Sequence, residues 1–358
     1  MNKTKKLSKF TLTNIKCYGM VLAAFAILYP MLQMGMISNK ISGLLIPICA
    51  YVVMAISLNL TVGFLGELSL GHAGFMSVGA FSGVIATACL QGAAPDPIKL
   101  IVAVIVGGIM AGILGLIIGI PVIRLKGDYL AIVTLAFGEI IKNIINCLYI
   151  GVDGSGLHFS MKSADALKMT DGRIILNGPQ GAVGVDKIAT FTAGVILIIF
   201  ALFVVLNLVN SKTGRAVTAI RDNRIAAESV GISITKYKLT AFIISAVIAG
   251  MAGALYGLNF STIAAKKFDF NTSILILVFV VLGGMGNIPG TIIATTLLYM
   301  LPEMLRQFSD YRMLIYAIVL IVVMLVTNSP KAKNALGKVK TVFKKKNTTD
   351  GEGAALNE

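Results

Sequence analysis

Long apolar runs, separated by short polar turns, recur along most of the chain and limit what it can fold into. A run of about 20 residues makes a helix that rises about 30 Å, the thickness of the hydrocarbon core of a bilayer. Only 13% of the residues are charged and 56% are hydrophobic, whereas a soluble domain has about 25% charged residues. The chain is therefore predicted to be an all-α integral membrane protein, a polytopic helical bundle.

Most of these runs are predicted to be full spans. The eight predicted spans are about 18–37, 41–62, 63–90, 98–122, 129–150, 188–209, 239–256 and 311–327. A further apolar region, 271–301, is interrupted by LGGMGNIPG at 282–290. The pieces on either side are only about ten residues long, and a helix of that length covers about half of the core. We therefore predict a broken, re-entrant pair of helices there, with two short spans as the alternative.

Lysine and arginine are concentrated beside the apolar runs. Both tails (1–16 and 329–358) are basic, and so is a polar island at 211–238. Positive charge is retained on the cytoplasmic side of membrane proteins, so the tails and the island are predicted to lie inside the cell. The transmembrane domain is then 17–328, with 151–187 as an extracytoplasmic loop. We expect the C-terminal tail to be disordered.

The net charge of +15 is explained by these clusters, which favour contact with anionic membrane lipid. No nucleic-acid partner is predicted. A phosphate-binding GxxxxGK[ST] loop and an HExxH zinc motif are both absent from the sequence, and the four cysteines have no metal-ligand spacing. We therefore expect no catalytic site, no metal and no cofactor bound by this chain.

The island at 211–238 is predicted to fold. Thr213 or Ser211 can cap a first helix, and Asp222-Asn223 can end that helix and cap a second short one. Gly231 stands where a left-handed residue would end the second helix. A short helix at the cytoplasmic surface between two spans is typical of a docking element. An ordinary basic loop that only sets topology is the alternative.

Ionisable groups inside the apolar runs are candidates for a translocation path, because a charge at membrane depth usually faces a cavity or a partner. Glu67 and His72 fit this description, and bracing of the glycine-rich backbone is the alternative interpretation. Glu139 and Lys142 lie on one helical face and can pair. This pair suits an ion-coupled carrier, but a structural ion pair explains it equally well.

Two glycine-rich interruptions are similar in sequence. GFLGEL at 63–68 resembles GGMGNI at 283–288. Matching interruptions in two halves of a transporter indicate the transport path, although the match is short enough for chance. The predicted path residues are Glu67, Ser69, His72, Glu139, Gly283, Gly284, Gly286 and Asn287.

Four stretches resemble the LivM-type permeases of branched-chain amino acid importers. They are LNLTVGFLGELSLGHAGFMSVGAF (58–81), RLKGDYLAIVTLAFGEIIKNIINCL (124–148), GRAVTAIRDNRIAAESVGI with the span after it (214–257), and ILVFVVLGGMGNIPGT through LPEMLRQFSDYRMLIYAIVLIVVML (276–325). The resemblance covers nearly the whole membrane part. It implies the fold of a type II ABC importer permease in the bacterial cytoplasmic (inner) membrane.

The same resemblance implies a function and a set of partners. The chain would form a path for leucine, isoleucine and valine. Its partners would be a second, LivH-type permease, two ABC ATPase subunits and an extracytoplasmic amino-acid-binding protein. ATP would be used by the partner subunits.

The island would then be the loop that couples the chain to an ATPase subunit. The predicted coupling residues are Arg215, Arg221, Asp222, Arg224, Ala226, Ala227, Glu228 and Gly231. A self-sufficient secondary carrier or channel for a small solute is the alternative function. The folded island favours the importer subunit, whereas the Glu139/Lys142 pair favours the carrier.

Overall fold

The computed structural model describes residues 9–36, 38–92, 94–125, 127–153, 156–167, 169, 172–305, 311, 314–315 and 317–322. Met1–Leu297 forms one compact unit and Leu298–Glu358 a second. The predicted tail at 329–358 lies outside the described residues, as do the first eight residues of the N-terminal tail and much of the predicted last span.

The described chain is mainly helical, with one small sheet. Before the sheet lie α1 (Lys9–Gln33), α2 (Asn39–Asn59) with a π-helical turn (Leu60–Phe64), α3 (His72–Cys89), α4 (Asp96–Val122) and α5 (Asp128–Asn146). The strands are β1 (Tyr149–Asp153), β2 (Gly156–Ser160), β3 (Gly172–Asn177), β4 (Ala182–Val183) and β5 (Thr262–Ile263). The later helices are α6 (Phe191–Asn210), α7 (Lys212–Asp222), α8 (Arg224–Ser229), α9 (Ile234–Gly257), α10 (Phe270–Gly283) and α11 (Ile288–Met304).

Within the described residues, 6 helices are long and apolar enough to cross a membrane. They are Lys16–Gln33, Ile41–Phe64, His72–Cys89, Asp96–Val122, Phe191–Asn210 and Ile234–Gly257, and each corresponds to a predicted span. The fifth predicted span is also a helix, α5, but it ends at Asn146 and the chain continues as β1. The prediction of a helical polytopic membrane protein is confirmed.

Helix α9 lies at the centre of the bundle and packs against α2, α3 and α4. Its buried face is made of small residues, so neighbouring helices approach until their backbones touch. A Cβ atom at Gly79 of α3 would overlap the carbonyl of Gly250, and one at Gly253 would overlap the carbonyl of Met76. Close packing of small residues is the usual way in which helices associate in membranes.

The loop between α5 and α6 forms an antiparallel sheet in the order β2-β1-β3-β4-β5. Strand β5 comes from after α9 and pairs Ile263 with Ala182. Arg173 of β3 donates to Gln91 Oε1 at 3.1 Å, which ties the sheet to the end of α3. From the sequence we predict only a polar loop here. Strands of two to six residues are too short to show a clear alternation of apolar and polar positions.

The predicted interruption at 282–290 is present. Helix α10 ends at Gly283 and α11 begins at Ile288, and the turn between them contains Gly284 (φ 94°) and Gly286 (φ 77°). Positive φ is accessible to glycine at little cost. The two helices have 14 and 17 residues, which is longer than the pieces of about ten residues expected from the apolar pattern.

Candidate coupling and translocation site

The island folds as two short helices, as predicted. The side chain of Ser211 accepts a hydrogen bond from Gly214 N at 3.2 Å and caps α7. Asn223 Oδ1 accepts from Ala226 N at 3.0 Å and caps α8. Gly231 has φ 83° and directs the chain out of α8. Helix α9 then begins at Ile234, so the last residues of the island form its first turn.

Ala227 does not lie on the exposed face of α8. It is 4% exposed and packs with Ile220 of α7 and Ile234 of α9. Ala227 was predicted as a coupling residue, but its side chain is buried within this chain and offers no exposed surface to a partner. Its small side chain instead lets α8 pack closely against its own neighbours, and this small core holds the island together.

The exposed side of α8 carries two large apolar residues that we did not predict as coupling residues. Ile225 is 81% exposed and Val230 is 75% exposed. Ala226, Glu228 and Ser229 are exposed beside them. Apolar side chains projecting from a basic surface loop are typical of a site that another protein covers. The sequence does not single them out, because Ile220 and Ile234 of the same island are equally apolar and pack inside it.

The two arginines of α7 have different surroundings. Arg215 is exposed on the helix surface. Arg221 reaches back into the membrane domain, where its Nη1 donates to the carbonyl oxygen of Gly63 at 3.0 Å. Its Nη2 pairs with Asp222 Oδ1 at 2.9 Å. Arg221 was predicted to contact a partner subunit, but its guanidinium is committed within this chain.

The two glycine-rich interruptions are in direct contact. We call this contact the glycine junction, formed by Leu60–Glu67 and Gly283–Thr291. A Cβ atom at Gly63 would overlap the backbone of Gly286. Asn59 joins the two sides: its Oδ1 accepts from Gly286 N at 2.8 Å and its Nδ2 donates to Thr291 Oγ1 at 2.9 Å. The similarity of the two sequences thus corresponds to a spatial pairing.

Glu67 lies at one edge of the junction and forms an ion pair with Lys238 in α9. The Lys238 side chain is only 6% exposed and that of Glu67 is 17% exposed. Sequence analysis counted Lys238 only as a topological charge, and its partner is far away in the sequence. This pair connects the junction to the end of the island.

His72 is buried inside the bundle, at the start of α3. The hydroxyls of Ser57 and Ser245 each lie 2.7 Å from the carbonyl oxygen of the other residue. His72 Nε2 shares hydrogen bonds with Ser57 Oγ at 2.7 Å and with Ser245 Oγ at 3.2 Å. Ser69, close by in sequence, is 1% exposed. This geometry favours the bracing interpretation for His72, because three helices meet at the histidine. The Ser69 hydroxyl has no hydrogen-bond partner among the described residues.

Glu139 and Lys142 pair as predicted from their spacing. Glu139 Oε1 also accepts from the backbone N–H of Phe270, at 3.3 Å, in the first turn of α10. A carboxylate is favoured at the N-terminus of a helix. The Glu139 side chain is still 33% exposed, so one side of the pair is open to a partner or to water.

The predicted path residues therefore do not form one site. Gly283, Gly284, Gly286 and Asn287 lie at the C-terminal end of α10, whereas Glu139 contacts its N-terminal end. A helix of 14 residues separates them, or about 20 Å. A groove of about 740 Å³ between α4 and α6 is lined by other residues, mostly apolar. No group of three or more metal-ligating side chains occurs within the described part of the chain.

The sequence was compared with known families. Residues 40–324 match the permease component family of branched-chain amino acid transport systems. The chain belongs to this family. The match includes α2 to α11, and therefore the island and both halves of the glycine junction.

Individual relatives agree with this membership. The chain is 32% identical over 332 residues to the high-affinity branched-chain amino acid transport system permease protein LivM of Salmonella typhimurium, covering 87% of this chain and 73% of that protein. It is 34% identical over 297 residues to LivM of Escherichia coli, covering 77% and 66%. It is also 27% identical over 250 residues to the L-arabinose ABC transporter permease protein AraH of Azospirillum brasilense, covering 69% and 64%. No solved structure matches the chain significantly.

Proposed function

We propose that this permease component forms the membrane path for leucine, isoleucine and valine in an ABC importer. The observation that carries the proposal is the family match over 40–324, which includes the folded island between α6 and α9. The names of the LivM relatives support branched-chain amino acids as the substrate class. Because one relative is named for L-arabinose, a sugar is the appropriate competitor in a test of substrate specificity.

The proposal includes partner subunits that supply what this chain lacks. A LivH-type permease completes the membrane path, and an extracytoplasmic binding protein delivers the amino acid. Two ATPase subunits bind and hydrolyse the ATP. The absence of a GxxxxGK[ST] loop from the sequence supports this division of labour, because such a loop is what holds the phosphates.

In this proposal an ATPase subunit docks on α8. Ile225 and Val230 are the central apolar contacts, and Arg224 and Glu228 lie at the rim. Charged pairs at an exposed rim contribute only about 0–1 kcal/mol each, so the apolar residues dominate the affinity. Arg215, exposed on α7, belongs to the same cytoplasmic surface.

Purification of the tagged chain from native membranes in mild detergent tests the proposal. We expect two ATPase subunits and a second permease to be recovered with it. The reconstituted complex, with its binding protein, should import radiolabelled leucine when ATP is enclosed on the cytoplasmic side, and excess arabinose should not compete. Uptake of leucine by the chain alone, driven by an ion gradient, would instead support the secondary carrier that the Glu139–Lys142 pair favours.

A further inference from the structure

We propose that Arg221 transmits movement of the island to the glycine junction, so that an ATPase subunit that displaces α7 and α8 also displaces the place where the two interrupted segments touch. Arg221 is thus a positioning residue, because it acts through Gly63. This inference rests on the proposed function, since it needs an ATPase subunit to move the island.

The Arg221 side chain is held in one orientation. Its Nε donates to Asp222 Oδ1 at 3.0 Å, and Nη2 pairs with the same oxygen at 2.9 Å. Nη1, on the opposite side of the planar group, then donates to the carbonyl of Gly63 at 3.0 Å. A guanidinium fixed by a carboxylate presents its remaining donors in a rigid geometry. Arg221 therefore links Asp222, at the end of α7, to the carbonyl of Gly63.

The carbonyl of Gly63 is available because the helix changes its hydrogen bonding there. Leu60–Phe64 forms a π-helical turn, and Glu67 N donates to Thr61 O at 3.1 Å instead of to Gly63, as a regular α-helix would require. A free carbonyl at the C-terminal end of a helix is a favourable acceptor for a cation. The contact thus joins the end of one spanning helix to the island.

From Gly63 the connection continues into the second interruption. Gly63 faces the backbone of Gly286, and a Cβ atom at Gly63 would overlap both that backbone and Asn59 Oδ1. Asn59, one turn earlier, accepts from Gly286 N at 2.8 Å and donates to Thr291 Oγ1 at 2.9 Å. The two backbones are in contact, and the Asn59 side-chain amide joins them by two hydrogen bonds. A displacement of one backbone is therefore passed to the other. Movement at Gly63 therefore moves the turn between α10 and α11.

The other end of the island is attached to the same segment. Lys238, in the first turns of α9, pairs with Glu67, three residues beyond the π-helical turn. The segment between Gly63 and Glu67 is thus held by α7 on one side and by α9 on the other. Two attachments make it follow a rotation of the island as well as a translation.

Arg221→Met tests the inference in the complete complex with its ATPase subunits and binding protein. Methionine keeps an apolar stem but removes every donor to Gly63. We expect normal recovery of ATPase subunits, ATP hydrolysis within about twofold of the unmodified complex, and a drop of at least about fivefold in leucine imported per ATP, the lower end of typical coupling between sites. Lys212→Met, which removes an exposed cation from the same helix, is the matched control and should leave all three quantities unchanged.

A second measurement follows the junction itself. Met285 is 60% exposed in the turn between α10 and α11, so a cysteine placed there, after replacement of the native cysteines, can be labelled with a maleimide. ATP with vanadate should change its labelling rate in the otherwise unmodified complex and in the Lys212→Met complex, but not in the Arg221→Met complex. Arg221→Lys keeps the positive charge but lacks the planar group with several donors. In that complex ATP with vanadate should change the labelling rate by an intermediate amount.

Three outcomes would contradict either the role of Arg221 in transmission or the proposed function. Unchanged coupling and an unchanged labelling response in the Arg221→Met complex would overturn the inference. Selective loss of ATPase subunits from both Arg221 variants would also overturn it, since it would make Arg221 a docking residue. Failure of the unmodified chain to bring ATPase subunits with it would contradict the proposed function itself.

Discussion

Gly63 shows how much depends on the absence of one side chain. Any Cβ atom at this position would overlap both the Asn59 side chain and the backbone of Gly286. The Gly286 backbone cannot be relieved by a rotamer change, and Asn59 is held by its hydrogen bonds to Gly286 and Thr291. The residue is therefore required for contact between the two interrupted segments, even though it has no chemistry of its own.

We expect Gly63→Ala to reduce leucine uptake by at least about tenfold and to lower the thermal stability of the purified complex, because overpacking of a well-packed site costs about 1–3 kcal/mol. Gly43→Ala is the matched control, since Gly43 lies in the same helix with nothing within 4 Å of an added Cβ. That change should be neutral or stabilise α2 by about 0.5–1 kcal/mol. Equal behaviour of the two variants in uptake and melting would show that the segments do not touch.

Glu139 allows a test of the two interpretations of its ion pair. Glu139→Gln leaves the Lys142 ammonium without its partner and removes the carboxylate that accepts from Phe270 N. Replacing Glu139 by Gln together with Lys142 by Met removes both charges. We expect the double variant to retain more leucine uptake than the single one, because an unpaired charge in a protein interior costs more than the loss of the whole pair. Uptake and the amount of chain in the membrane should be measured together. Abolished transport in a double variant that accumulates normally would favour ion-coupled transport.

Among the elements, α8 separates residues that hold the island from residues that present a surface. Ala227 is buried against α7 and α9, while Ile225 projects from the opposite side. Substitutions at the two positions are therefore expected to have different effects. A change at Ala227 acts on folding, and a change at Ile225 acts on docking.

We expect Ile225→Asp to leave the chain stable and to reduce recovery of ATPase subunits by about tenfold, since a central apolar contact is worth roughly 1–2 kcal/mol or more. Ile225→Leu keeps the apolar contact and should behave normally. Ala227→Trp should instead lower the amount and the melting temperature of the chain itself. Quantitative recovery of ATPase subunits, with chain stability measured in parallel, distinguishes these effects. Normal recovery with Ile225→Asp would remove α8 from the docking surface.

Sequence reasoning was successful where a structure depends on nearby residues. The caps at Ser211 and Asn223 and the left-handed Gly231 are signals within a few positions of the helix ends that they define. The interruption after α10 is equally local, because two glycines with positive φ terminate a helix wherever they occur. The spans followed from the length of the apolar runs.

The same reasoning was insufficient where the structure depends on distant residues. Which face of α8 is buried is decided by Ile220 and Ile234, and a six-residue helix is too short for its own periodicity to reveal this. The bond from Arg221 to Gly63 joins residues far apart in the chain. No local pattern predicts it, so the prediction for Arg221 did not include a contact within this chain.

At the scale of the whole molecule, the predicted orientation in the membrane can be tested directly. The Lys/Arg clusters predict that the island lies inside the cell and that 151–187 lies outside. After the four native cysteines are replaced, single cysteines are introduced at Ser163 and Ser229. An impermeant maleimide added to intact spheroplasts should label the first and not the second, and lysis should expose both. Labelling of Ser229→Cys alone in intact cells would reverse the orientation.

The pairing of β5 with β4 has a consequence for how the protein is made. Strand β5 follows α9, while its partner β4 precedes α6. The ribosome must therefore synthesise two spans and the island between the two halves of this pairing, which takes on the order of ten seconds at 5–20 residues per second. During that interval β4 lacks its partner strand β5. At two residues that edge is short, and short edge strands resist pairing with other chains. The sheet can be completed only after α6 and α9 have been synthesised.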